Sequence, residues 1–186
     1  MSKSLFGLIL FVLLALPPVR NAMESVMITH MLVQIPLLIT SGCLMAEAVQ
    51  EKCYQFWAKW NGNGIAGILL AILLTIYWMI PRMLDESLVN GHVELFKFLS
   101  LPFLVGIPLR NSWRKLGSLV KSFIVVNYIS MFGLLAWLYI DAPVRVCNSY
   151  LAADQEILGW GFLIITISLA LYMLQNVFID HSEADP

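Results

Sequence analysis

Charge is what this sequence has least of. Asp, Glu, Lys and Arg make up 12% of its residues, against about 25% in an ordinary soluble domain. The 11 Lys and Arg nearly cancel the 12 Asp and Glu, leaving a formal net charge of −1. Such a chain carries no long-range field for an anionic polymer, which excludes a basic nucleic-acid binder. Cysteine is also scarce: the three residues Cys43, Cys53 and Cys147 include no C-x-x-C and no zinc spacing. No Ser-His-Asp set, P-loop or H-E-x-x-H pattern occurs, so no enzyme is expected. The run Gly62-Asn-Gly-Ile-Ala-Gly67 matches G-x-G-x-x-G, but it opens an apolar stretch with no strand before it, so its glycines read as helix-packing residues. There is no internal repeat and no low-complexity tract.

What is present is apolar. The hydrophobic share is 60% over 186 residues, and the mean hydropathy is +0.81. That excludes a disordered chain. The expected fold is all-α: a polytopic transmembrane helical bundle of about six spans, forming a single domain over residues 1–186. A hydrocarbon core of ~30 Å needs ~20 helical residues. Six stretches qualify or come close: Leu5–Val19, Val26–Ala46, Gly64–Ile80, Val93–Leu109, Leu116–Ile140 and Ile157–Ile179. The first reads as an uncleaved anchor, with a secretory signal as the alternative; Arg20 disfavours cleavage after Ala22. Pro36 in the second span, and Pro102 and Pro108 with Gly106 in the fourth, remove helical hydrogen bonds and predict kinks there.

Positive charge falls unevenly between alternating ends. Lys3, Lys52, Lys59, Arg110, Arg114 and Lys115 share one end, with Lys121 just inside the fifth span, while Arg20, Arg82 and Arg145 share the other. The richer end is expected to be cytoplasmic. Both termini then lie in the cytoplasm, including the acidic tail Asp180-His-Ser-Glu-Ala-Asp185. Aromatic residues mark the same boundaries: Trp57, Trp60 and Trp113 inside; Tyr77, Trp78, Trp137, Tyr139 and Trp160 outside. Cys43 and Cys53 would lie near the inner side and Cys147 outside, which leaves Cys147 without a disulfide partner.

Polar residues within or beside apolar spans are costly and therefore informative. Met23, Met27, His30 and Met31 stand along one helical face, with Gln34 one turn beyond His30. Thioether and imidazole together suit a soft ion such as Cu(I). On spacing alone, the plainer reading of flexible packing methionines and a satisfied core histidine leads. A second group runs through Trp78, Met79, Pro81, Asp85, Ser87, His92, Glu94 and Lys97. Here Glu94 and Lys97 are spaced to pair, Lys97 is close enough to the edge to snorkel to water, and Arg82 and Asp85 can form a surface pair. A third group, Cys147, Tyr150, Asp154, Gln155, Gly159 and Gly161, opens the last span; Asp154-Gln155 also fits a helix start. Cys147 is open to two readings, a metal ligand or an ordinary loop thiol. All three groups fall in the outer third of the expected bundle.

At these groups the chain resembles the CtaG-like family of cytochrome c oxidase assembly factors, polytopic bacterial membrane proteins implicated in copper supply. The family's H-M-x-x-H with P-L-L corresponds to His30-Met31-x-x-Gln34 and Pro36-Leu37-Leu38. Its W-H-x-P and D-x-A-L correspond to Trp78-Met79-Ile80-Pro81 and Asp85-x-Ser87-Leu88. His92 and Glu94 follow, and Asp154-Gln155-x-x-Leu158-Gly159 stands for D-Q-x-x-G-G. Gln34 and Met79 replace family histidines, Lys97 lies where another is expected, and Leu158 replaces a glycine. The resemblance implies a bacterial-type inner membrane protein that holds copper near its extracytoplasmic face for a respiratory or other copper-dependent complex. It implies His30, Met27, Met31, Met79 and His92 as ligands, supported by Gln34, Asp85, Glu94, Asp154 and Gln155. The alternatives are a non-catalytic structural subunit of a larger respiratory or monooxygenase-type membrane complex, and a haem b anchor using His30 and His92 as axial ligands. A transporter reading rests only on the broken fourth span.

Overall fold

A computed structural model describes residues 2–141 and 146–182; Arg145 and the end of the acidic tail lie outside them. The described residues form nine helices and no strand. They are α1 (Ser2–Ala15), α2 (Pro17–Glu24), α3 (Met27–Lys52), α4 (Tyr54–Trp60), α5 (Ile65–Met79), α6 (Pro81–Val89), α7 (Gly91–Trp113), α8 (Ser118–Asp141) and α9 (Ala152–Ser182). Four of them, α3, α7, α8 and α9, are long and apolar enough to cross a membrane. Two bent pairs, α1–α2 at 70° and α4–α5 at 86°, bring the candidates to six if each pair is one span. The described residues are thus of the all-α class and carry four to six candidate spans, as a multi-pass membrane protein would.

Proline and glycine explain the breaks. Pro17 and Pro18 open α2 where α1 ends, because proline supplies no amide hydrogen to continue a preceding helix. Gly64, at φ +79°, starts α5 in the left-handed region that a side chain disfavours. Pro36, Pro102 and Pro108 are absorbed differently. Just before Pro36, residues His30–Gln34 widen into a π-turn in which the Ile35 N–H donates to the His30 carbonyl. Residues Ser100–Gly106 do the same around Pro102, and the Ile107 N–H donates to the Pro102 carbonyl. A wider turn accommodates missing amide donors and is frequent at functional sites.

The chain divides into two compact units. The first comprises Met1–Leu116 with Cys147–Tyr150. Its centre is α3 and α7, which run parallel: His30 meets Lys97 at one end, Cys43 donates to the Gly106 carbonyl midway, and Glu47 faces Arg110 at the other end. Helix α5 lies antiparallel to α7, with Trp78 against Ser100 and Gly67 against Ser112. Gly42 and Gly106 let α3 and α7 approach closely, since a Cβ at Gly42 would strike the Pro102 backbone and one at Gly106 the Ile39 carbonyl. Small residues are the usual means of close packing between spans. Enclosure follows from this arrangement: half of the apolar window of α7 is buried, against 17% for α8 and for α9.

The second unit comprises Gly117–Val146 and Leu151–Pro186. Here α8 and α9 form an antiparallel pair, with Phe132 and Tyr139 stacked on Phe162 and Gly159 set against Ile140. In both units the outward faces are apolar: Leu69, Leu73, Phe123, Ile164 and Leu171 are each more than half exposed. Such surfaces suit lipid contact.

Candidate functional site

The polar residues of the first unit converge where α3 and α7 begin. Helix α2 ends at Glu24, and α3 presents His30 and Gln34 from its π-turn. Helix α7 presents Lys97 from its second turn, and the segment Cys147–Tyr150 adds the Tyr150 phenol. His30, Gln34 and Lys97 are fully buried at 0% exposure.

Lys97 is the hub. Its ammonium lies 2.6 Å from Glu24 Oε1 and 3.0 Å from His30 Nε2. An ammonium only donates, so Nε2 is the acceptor and the imidazole proton is assigned to Nδ1. Nδ1 lies 2.8 Å from Tyr150 Oη, and the Tyr150 hydroxyl donates to the Glu24 carbonyl at 2.9 Å. The His30 and Tyr150 donors are thereby each matched to an acceptor, and Lys97 donates to two, the kind of pairing a buried polar network depends on. Gln34 Nε2 adds a donor to Glu24 Oε1 at 3.2 Å, while Gln34 Oε1 meets no protein donor. Lys97 Nζ also stands 5.2 Å from the centre of the Phe98 ring.

A second layer holds Lys97 in place. Trp78, fully buried, donates its indole N–H to Ser100 Oγ at 2.9 Å. Its ring packs on Phe96, beside Lys97 in sequence. On the more open side, Arg20 pairs with Glu94 at 2.8 Å. Asp85 clamps the incoming segment, accepting the Asn148 N–H at 2.6 Å and the Ser149 N–H at 3.3 Å. The Cys147 thiol is buried, 3.9 Å from the Pro81 carbonyl.

Several pairings expected from spacing are replaced. Lys97 does not snorkel to water, and it does not pair with Glu94. Glu94 belongs to Arg20 instead, because Glu24 reaches the buried ammonium from another helix. Asp85 spends both carboxylate oxygens on backbone amides and forms no ion pair with Arg82. The sites implied by the resemblance are distributed as follows. Met27 and Met31 are fully buried on α3, and Met79 is buried at the end of α5. His92 is exposed, and its backbone N–H is capped by Asn90. Asp154 and Gln155 belong to the second unit, where Gln155 is buried and accepts the Val146 N–H at 2.9 Å. No group of three or more His, Cys, Asp or Glu side chains suited to a metal occurs among the described residues.

These residues do not fit a copper ion as arranged. Both ring nitrogens of His30 are engaged, and an ammonium stands on the lone pair that a metal would use. Spacing alone understated Glu24, Lys97 and Tyr150. The signal that points to Glu24 and Lys97 is ionisable residues inside or against apolar spans, where an unpaired charge is too costly to persist. In comparison with known proteins, the chain matches no family model, no curated sequence and no solved structure.

Proposed function

We propose that this protein is a non-catalytic membrane scaffold, a structural subunit of a larger membrane complex, whose polar core is organised by an internal cation. The carrying observation is the buried Lys97 ammonium, 3.0 Å from His30 Nε2 and 2.6 Å from Glu24 Oε1. In the copper-supply reading that the CtaG-like resemblance implies, His30 directs a free lone pair at an exchangeable ion. Here a covalently tethered ammonium takes that lone pair, and the site neutralises its own carboxylate. A tethered cation cannot be handed to a partner, so the cluster ties α2, α3, α7 and the Cys147–Tyr150 segment together. The half-exposed apolar faces of both units provide surface for lipid and for neighbouring subunits. The copper-supply reading retains one favourable feature, the buried thioethers of Met27 and Met31 beside His30 in sequence.

Isolation of the tagged protein from its native membranes in mild detergent tests this proposal. The expected result is a stable assembly in which the protein is stoichiometric with its neighbours. Recovery of the protein alone, or in traces on a transient intermediate of another enzyme's assembly, would overturn the subunit reading.

A further inference from the structure

The opposite end of the α3–α7 pair carries a second polar construction. A cleft of about 230 Å³ is lined by Glu47, Gln50, Arg110, Asn111, Arg114 and Lys115. Three cations face one carboxylate, and the Arg110–Glu47 pair is loose at 3.7 Å, with both side chains about half exposed. Asn111 is 93% buried by its 7% exposure, yet its Nδ2 donor has no partner. A buried unpaired amide donor is costly and points to an acceptor from outside the chain.

The walls of this cleft are fixed in place. Lys115 donates to the Asn61 carbonyl at 2.7 Å. Asn61, itself buried, donates to Ser112 Oγ at 2.9 Å and accepts the Gly67 N–H at 2.9 Å. These bonds join the end of α7 to the bend between α4 and α5. The half-exposed aromatics Phe56, Trp60 and Trp113 lie on the same elements, and exposed aromatics of this kind favour the membrane–water boundary. A cationic cleft with a neutral donor, placed at the headgroup level, matches an anionic phosphate group.

We propose that this cleft binds the phosphate of an anionic phosphate ester, with Arg110 and Arg114 supplying charge and Asn111 Nδ2 donating to a phosphate oxygen. The inference is independent of the proposed scaffold function. It is tested with the purified full chain in neutral detergent, by native mass spectrometry with phosphatidylglycerol, phosphatidylcholine or inorganic phosphate. One phosphatidylglycerol should be retained in preference to phosphatidylcholine. Arg110→Gln/Arg114→Gln should weaken retention about 25-fold, equivalent to about 2 kcal/mol for two surface cations. Asn111→Asp, nearly isosteric but lacking the donor and adding a negative charge, should lose the adduct while the helical circular dichroism is kept. Retention of phosphatidylglycerol that millimolar phosphate does not displace assigns a lipid; phosphate-specific binding with no lipid adduct, lost in the same variants, assigns a soluble phosphate ester. Equal retention of both lipids without a phosphate adduct, or binding unchanged in both variants, overturns the proposal.

Discussion

Lys97 is the residue on which the site depends. A charge at 0% exposure is tolerable only with its partners in place. Lys97→Met removes the cation and leaves Glu24 facing His30 without compensation, and breaking a buried pair in this way costs about 3–5 kcal/mol. The variant should therefore unfold earlier in a detergent melt, and Glu24→Gln/Lys97→Met should recover part of the loss because no lone charge remains. A double variant no more stable than Lys97→Met alone would contradict the pairing. Tyr150→Phe removes one acceptor and one donor at 2.8 Å and 2.9 Å, with an expected cost of about 1–3 kcal/mol in the same assay.

At the scale of elements, the two π-turns and two glycines allow α3 and α7 to share a polar end. The sequence shows Pro36, Pro102 and Pro108 plainly, and they predict disrupted helical bonding. That the disruption takes the form of widened turns depends on the facing backbone and is not readable from one span. The close approach at Gly42 and Gly106 is equally a property of the pair. Gly42→Val should therefore separate α3 from α7, costing at least the ~1–3 kcal/mol of an overpacked core, and should raise the reactivity of Cys43 toward a thiol reagent. Gly91→Ala, at a position where an added Cβ meets nothing within 4 Å, is the matched control and should leave both readouts unchanged.

At the scale of the whole molecule, hydropathy and length reveal the helical class and the four long spans, because burying backbone in lipid leaves the helix as the available form for such runs. They do not reveal the 70° and 86° bends of the α1–α2 and α4–α5 pairs. The first stretch reads as a short anchor ended by Pro17-Pro18 and the third as a span opening at Gly64, so α2 and α4 fall mostly or wholly outside the apolar stretches and their angles to α1 and α5 are not readable from them. His30 and Lys97 were each visible as costly polar residues, yet their meeting requires α3 and α7 to be parallel, which no local pattern encodes. Charge bias makes a further prediction. If the lysine-rich end is cytoplasmic, single cysteines introduced at Lys59 and Arg114 in a cysteine-free background should resist an impermeant thiol reagent in intact cells, while one at Arg82 should react. Both termini should share one side, as six crossings require; since parallel α3 and α7 need a crossing between them, reporters showing the termini on opposite sides would mean that the α1–α2 pair does not cross.

Whether a tethered ammonium or an exchangeable ion fills the polar core is decided by a Cu(I) titration of the purified reduced protein beside its His30→Ala and Lys97→Met variants. Wild-type protein should bind no Cu(I) that depends on His30. Stoichiometric Cu(I) binding by the wild type that disappears on His30→Ala would contradict the account.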